Sequence, residues 1–553
     1  MKNPLLYPAS KEQVVFDVVR RDKNIQNLRL EALVENMFLG TGFTLSIEQL
    51  YDLTTNDADT IAFRNGMIAD LIANPKLEKA FFLIPSSLAY LKEFTRKMEY
   101  RDNVICQIAL KYRRLSLYAN LMNALREAFA DPEVKTTSEA IEVLKKMVND
   151  YYDSDQIDPM LQDFSKVDTS WLDIRGFALG ANLKSGQILQ SMTIDEFSHE
   201  SYDKSSIFIY WKDEPIKGVS NLKAMPNISN LGLFQNEALN MIHEYYKNAV
   251  KDIKTICAKY KPQGLQEFQN VDEAFSFYAG ALNLFRRLRD QGFSMCQPTV
   301  VDSEKFLLHA TEMYPILLAL DPDNNTIKND IDLPVEGKFY LLTGANSSGK
   351  STFMTATGQL IWLFQLGFYL PADGVKISPV RSIFTIFSGG ETDNYEDSRM
   401  GEEVRQITEM LPNVTSNSIV IMNEPLTSTS PMEGSQICAD LIKTLLDNGV
   451  SGVVATHFYE LYDFLPAIEK AHPGKTGSLI TLTKPNPDSD IAIRTYKIKP
   501  GAPQKKSYAL EVAASHGITL RQIMHRFEDR EIKLEIDKPT IMELHEDGDV
   551  DMN

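Results

Sequence analysis

Cysteine is scarce and scattered. Cys106, Cys257, Cys296 and Cys438 form no CxxC pair and have no histidine cluster beside them. That argues against a disulfide framework and a zinc module, and it suits a reducing cytoplasm. No signal-peptide core follows Met1-Lys2-Asn3-Pro4, so no secretory route is expected. Long apolar runs are missing as well: the most apolar stretch, residues 361–370, is too short to span a bilayer, so no membrane partner is expected. Positive charge is outweighed, with 57 Lys and Arg against 75 Asp and Glu and a net charge of −18. Nucleic-acid affinity is largely electrostatic, so any such role requires local basic surfaces. There are no internal repeats and no low-complexity tracts.

What is present is an ordinary soluble composition over 553 residues, enough for three or four domains at about 150 residues each. Residues 1–295 read as overwhelmingly helical. Stretches 68–80, 116–130 and 138–152 repeat apolar residues at three- and four-residue spacing. A β-containing interruption falls at about 173–233, where 174–180 and 206–211 read as strands; helix resumes over 235–261 and 271–291. From Met295 the pattern changes. Strands at 338–343, 383–387, 418–422 and 452–456 alternate with helices starting near Lys350, Arg399 and Met432, as in a parallel sheet covered by helices. Residues 535–553 are acidic, carry no core pattern and read as a tail. The expected fold class is α+β and multidomain: a mainly helical part over 1–295, then an α/β domain over 296–534.

The α/β part is built around Gly344-Ala345-Asn346-Ser347-Ser348-Gly349-Lys350-Ser351, followed by Thr352. A β-branched and aromatic run precedes it and a long apolar helix follows. Strand, glycine loop, Gly-Lys-Ser and helix is the phosphate-binding P-loop in its expected context. Gly344 and Gly349 let successive N–H groups turn into one concavity at the positive end of a helix. Lys350 brings a cation to the β- and γ-phosphates, and Ser351 brings a hydroxyl to Mg²⁺. A bound nucleoside triphosphate is the expectation.

A second stretch, Ser418-Ile419-Val420-Ile421-Met422-Asn423-Glu424, is an apolar strand ending in a carboxylate. It fits a Walker B element, with Glu424 as the base for the attacking water and Asn423 beside the metal where a carboxylate is usual. A hydroxyl-rich loop, residues 425–434, follows. Then Gly452-Val453-Val454-Ala455-Thr456-His457 ends a strand in a histidine, placed either to sense a γ-phosphate or to serve the fold.

The order and spacing of these motifs closely resemble the ATPase domain of the MutS DNA mismatch repair family. That family's TGPNxxGKST is matched by residues 343–352, its DEIGRGTSTxDG by 423–434 and its ATHYxEL by 455–461. Its SYG-containing helix resembles residues 506–513, and its signature serine at a helix start would be Ser398. Weaker resemblance to the start of the family's core domain runs upstream through Leu53, Phe63-Arg64-Asn65 and Asp70. The departures are Asn423 for aspartate, and Leu426 and Ser428 for loop glycines. No mismatch-reading domain and no Phe-x-Glu wedge motif is seen ahead of the helical part, so a short form is expected. The resemblance implies a helical core and lever domain, an ABC-type P-loop ATPase domain, ATP with Mg²⁺, composite sites in a homodimer, and DNA, mismatched or branched, as partner. Lys350, Glu424 and His457 would be catalytic, residues 344–352 and Ser398 would hold nucleotide, and Ser351, Asn423 and Glu424 the metal.

Local basic clusters exist for such a partner: Lys92, Arg96, Lys97 and Arg101; Lys111, Arg113 and Arg114; and Lys247, Lys251 and Lys254 beside Tyr245 and Tyr246. The plain alternative is a set of solvated helix faces. Rival functions are a P-loop kinase, a chromosome-organising or transporter ATPase, since Phe387-Ser388-Gly389-Gly390-Glu391 superficially resembles LSGGQ, and a nucleotide-switched binding module.

Overall fold

A computed structural model describes residues 3–10, 21–99, 104–174, 176–185, 188–199, 210–211, 214–215, 243–335, 337–345, 347–387, 399–484, 493–503, 518 and 523–525. The chain is mixed helix and sheet and divides into two units. The first comprises Met1–Ser303, Ile316–Asn325 and Gln359–Arg381; the second comprises Glu304–Pro315, Thr326–Gly358 and Ser382–Asn553.

The first unit is helical because its apolar residues recur at helical spacing and its caps are in place. Ser46 and Gln49 form a reciprocal capping box before Ile47–Asp52. The Asp57 carboxylate accepts from Thr60 N–H ahead of Ala58–Ala73. The periodic stretch 68–80 is not one helix. Asn74 caps Ala58–Ala73, and Pro75 opens the next helix, Pro75–Glu99, at the position where a missing N–H costs nothing. Residues 116–130 lie inside Val104–Ala130, and Ser138 caps Glu139–Ser154. Helix Ala58–Ala73 is anchored by Asp70, whose carboxylate accepts from Thr137 N–H at 2.9 Å and Ser138 N–H at 2.8 Å. Six residues earlier, Arg64 is fully buried. Its guanidinium donates to the carbonyls of Leu6 and Leu53 and stacks near the rings of Tyr7 and Phe277. Two of its donors are satisfied in this way, which eases the cost of burying the charge, while Nη2 has no hydrogen-bond partner among the described residues.

The β-containing interruption holds an antiparallel hairpin of β1 (Gly176–Lys184) and β2 (Ile188–Ser198), with a short pair β3 (Tyr210–Trp211) and β4 (Glu214–Pro215). Of the expected strand at 206–211, residues 206–209 lie outside the described residues. Helices Lys247–Lys259 and Asp272–Asp290 follow. β5 (Thr299–Val300) pairs in parallel with the later segment Gly374–Ile377, which is β9 in chain order.

The second unit contains an antiparallel pair, β6 (Leu308–Met313) and β7 (Asn329–Leu333), and a six-stranded sheet. The sheet strands are β8 (Phe339–Thr343), β10 (Ser382–Phe387), β11 (Ser418–Asn423), β12 (Ser451–Ala455), β13 (Thr476–Lys484) and β14 (Ile493–Pro500). Their spatial order is β10-β11-β12-β8-β13-β14, parallel except for β14, which closes one edge antiparallel to β13. Every residue of β11 and β12 is buried, as strands covered on both faces must be. Gly452 permits the close fit of β12: a Cβ there would stand 2.4 Å from Phe339 Cε1 and 2.5 Å from the Val420 carbonyl oxygen. The helices Lys350–Leu366, Arg399–Met410 and Pro431–Asp447 begin where the sequence places them.

Candidate functional site

Parallel pairing brings the carboxyl ends of β8, β11 and β12 to one end of the sheet, where ligands of open α/β sheets bind. The glycine loop leaves β8 with Gly344 at φ 151°, Ser347 at φ 58° and Gly349 at φ 93°. Left-handed backbone of this kind turns N–H groups toward a common concavity, and the helix Lys350–Leu366 begins at once behind it. Gly344 admits no side chain, because a Cβ would lie 1.9 Å from Thr481 Oγ1 on β13. The hydroxyls of Thr343, Ser348 and Thr481 are buried there without a hydrogen-bond partner among the described residues.

Lys350 is 4% exposed, and its ammonium donates to the carbonyl oxygens of Gly344 at 2.9 Å and Ala345 at 3.0 Å. Burial pushes its pKa down, the Glu424 carboxylate pushes it back up, and the Arg494 guanidinium lowers it further. A buried ammonium resting on two neutral carbonyls keeps a concentrated positive charge at the glycine loop. The next residue, Ser351, donates through Oγ to Asn423 Oδ1 at 3.1 Å. Asn423 ends β11 and is 8% exposed. Glu424 follows with φ 54°, its N–H donating to the Ala455 carbonyl at 2.7 Å, so the turn after β11 is tied to β12. Lys350, Ser351, Asn423 and Glu424, chosen from sequence spacing alone, therefore gather at one end of the sheet.

His457 is exposed at the end of β12 with its ring 4.6 Å from that of Phe458. Thr456 N–H donates to the Leu342 carbonyl, which ties this strand end to β8. The hydroxyl-rich loop has a local use: Ser430 caps Pro431–Asp447, and the Thr429 and Ser430 hydroxyls both donate to Glu433. Asn346, Ser398, the LSGGQ-like residues 388–391 and the tyrosine segment 506–513 lie outside the described residues, as does the acidic tail.

Sequence reasoning missed the β13–β14 side of the site. Tyr496, at φ 56°, sets its ring edge 3.3 Å from where a Cβ on Gly349 would stand. No motif marks Thr481, Arg494 or Tyr496; they reach the loop only through strand pairing.

Among the basic clusters, Lys92 pairs with Asp272, and Arg113 donates to the Leu172 carbonyl and Asp173. Lys247, Lys251 and Lys254 line the outer face of Lys247–Lys259, opposite buried Val250, Ile253 and Cys257. Tyr245 beside them is 73% exposed and packs edge-on to Phe197 and Tyr246. Arg101 lies outside the described residues. No helix among the described residues is long and apolar enough to cross a membrane.

Fold and site together define a mixed helix-and-sheet protein with a glycine loop at the end of a parallel sheet. Residues 340–535 match the family model MutS domain V, and residues 56–291 match MutS2 N-terminal domain. Both parts of the chain are thus similar to domains of the MutS family. The chain is 29% identical over 230 residues to the DNA mismatch repair protein MutS of Lactobacillus delbrueckii subsp. bulgaricus, covering 40% of this chain and 25% of that protein. The namesake from Fusobacterium nucleatum subsp. nucleatum is 30% identical over 229 residues, 41% of this chain and 25% of the relative. For Chlorobium phaeovibrioides the figures are 25% over 320 residues, 55% and 34%. The matches thus span a quarter to a third of the length of these curated relatives.

Proposed function

We propose that the chain is an ATP-dependent DNA-binding protein of the MutS type, which hydrolyses ATP at composite sites in a homodimer to control its hold on mismatched or structurally altered DNA. In this reading residues 1–295 form the core and lever part, 296–534 the P-loop ATPase domain and 535–553 an acidic tail. The observation that supports it most is buried Lys350, resting on two carbonyls at a glycine loop whose next residue, Ser351, is bonded to the Walker B strand.

The residues present fit a triphosphate with its metal. The left-handed turns at Gly344, Ser347 and Gly349 make the cradle, no carboxylate among the described residues is hydrogen-bonded to Lys350, and Ser351 and Asn423 offer oxygens. When bound, ATP·Mg²⁺ supplies a phosphoanhydride bond polarised for attack by water. Backbone N–H groups of residues 344–352 orient the phosphates, and Lys350 leaves its two carbonyls to neutralise them. Glu424 takes the proton of the attacking water, and His457, at the neighbouring strand end, responds to the terminal phosphate. Ser398, from the partner copy, closes the site and excludes water.

DNA would meet the exposed row Lys247, Lys251 and Lys254 with Tyr245, in which Lys247 also pairs with Glu244. A second reading, a nucleotide-switched binding module with slow turnover, is favoured by the uncharged Asn423. A gel-shift panel of homoduplex, mismatched and branched DNA, with and without ATP, tests the proposal. Preferential, ATP-released binding of one altered DNA is expected; equal or absent binding of all three contradicts it.

A further inference from the structure

Arg494 is half-buried on the edge strand β14, and its guanidinium makes no ion pair or hydrogen bond with any described residue. Its place follows from register. On β13, Ile480 pairs with Thr343, the last residue of β8, and Thr483, three residues further on, pairs with Arg494. Arg494 therefore stands beyond the carboxyl end of β8, at the level of the glycine loop. Two residues later the ring of Tyr496 lies against Gly349. This irregular segment is pinned from below, where the Asn329 amide donates to the Tyr496 carbonyl at 3.1 Å and accepts from Ile498 N–H at 2.7 Å. The guanidinium is close enough to repel the Lys350 ammonium.

Two cations thus share one end of the sheet with Glu424 as the carboxylate felt by Lys350, and the metal-side partner of Ser351 is a neutral amide. Holding like charges together in a half-buried place costs free energy until a polyanion joins them. A planar guanidinium suits phosphate oxygens better than an ammonium does, because two N–H groups reach them side by side. We propose that Arg494 is a further phosphate-binding residue. Its guanidinium contacts the phosphate chain of the nucleoside triphosphate in the glycine loop and supplies neutralising charge that Asn423 does not draw in through a metal. This rests on the nucleotide reading above.

The test is calorimetric titration of the full chain with ATP, in Mg²⁺ and in EDTA, alongside thermal unfolding without nucleotide. Arg494→Gln should weaken ATP binding about tenfold, more in EDTA than in Mg²⁺, and leave the nucleotide-free melting temperature unchanged or raised. ATP affinity within about twofold of wild type would overturn the assignment. Should Arg494→Gln fold poorly, Arg494→Lys and Arg494→Met decide: the lysine variant must bind ATP several-fold more tightly, and equal affinities overturn the proposal. A wild-type chain that binds no ATP overturns the nucleotide reading and this assignment with it.

Discussion

The Ser351 hydroxyl donates to the side-chain oxygen of Asn423 across 3.1 Å. Ser351 lies in the first turn of the helix behind the glycine loop, and Asn423 is the last residue of buried β11. In the proposed function this pair would face the metal, with one charge fewer than an aspartate would give it. A dipole at this position attracts a divalent cation far less than a carboxylate does.

Asn423→Asp should therefore tighten Mg²⁺ dependence by roughly an order of magnitude, since the new carboxylate faces the same hydroxyl. Titrating Mg²⁺ against turnover or nucleotide affinity measures this. Unchanged dependence means that position 423 does not face the metal.

Lys350 and Glu424 should separate binding from chemistry. In the proposed function Lys350 would touch phosphates in the ground state, so Lys350→Ala should abolish ATP binding; Glu424 would act on the attacking water, so Glu424→Ala should keep binding and lose hydrolysis. Equilibrium binding and single-turnover hydrolysis on both variants check the assignment. Wild-type hydrolysis by Glu424→Ala places the base elsewhere.

Gly452→Ala should destabilise the second unit by about 1–3 kcal/mol, because the added methyl group meets Phe339 and the Val420 carbonyl at less than contact distance. Denaturant unfolding followed by far-UV circular dichroism reads the change. The ATP affinity of the folded fraction should fall too, since β12 spaces β11 from β8. Wild-type stability would mean that this packing is looser than described.

What was legible in the sequence had local causes. The glycine loop, Lys350, Ser351 and the strand ending in Asn423 and Glu424 carry backbone and chemical requirements within a few residues of each other, and they come together as spacing implies. The break at Asn74 and Pro75 was overlooked because apolar periodicity runs through it, although the proline marks a helix start. β14 was invisible for a different reason. It is an edge strand with Ile498 its one buried residue, so no apolar alternation announces it. Arg494 and Tyr496 consequently enter the site through tertiary pairing alone. The hydroxyls of Thr429 and Ser430 in the hydroxyl-rich loop both bond to Glu433 at the start of Pro431–Asp447.

Composite sites predict complementation. Lys350→Ala and Ser398→Arg, each inactive alone, should regain activity when mixed, because one site of a mixed dimer carries both defects and the other neither. Turnover against mixing ratio measures it. No recovery between subunits shown to exchange argues that each site is completed within one chain.

In the proposed function the nucleotide site at the glycine loop answers to DNA. Steady-state ATP hydrolysis, measured without DNA and with saturating homoduplex, mismatched or branched duplex, tests it most directly. The account predicts turnover that changes several-fold with one altered DNA, is absent in Lys350→Ala, and loses its DNA response when Lys247, Lys251 and Lys254 are replaced together by Gln. Turnover indifferent to every DNA would contradict it.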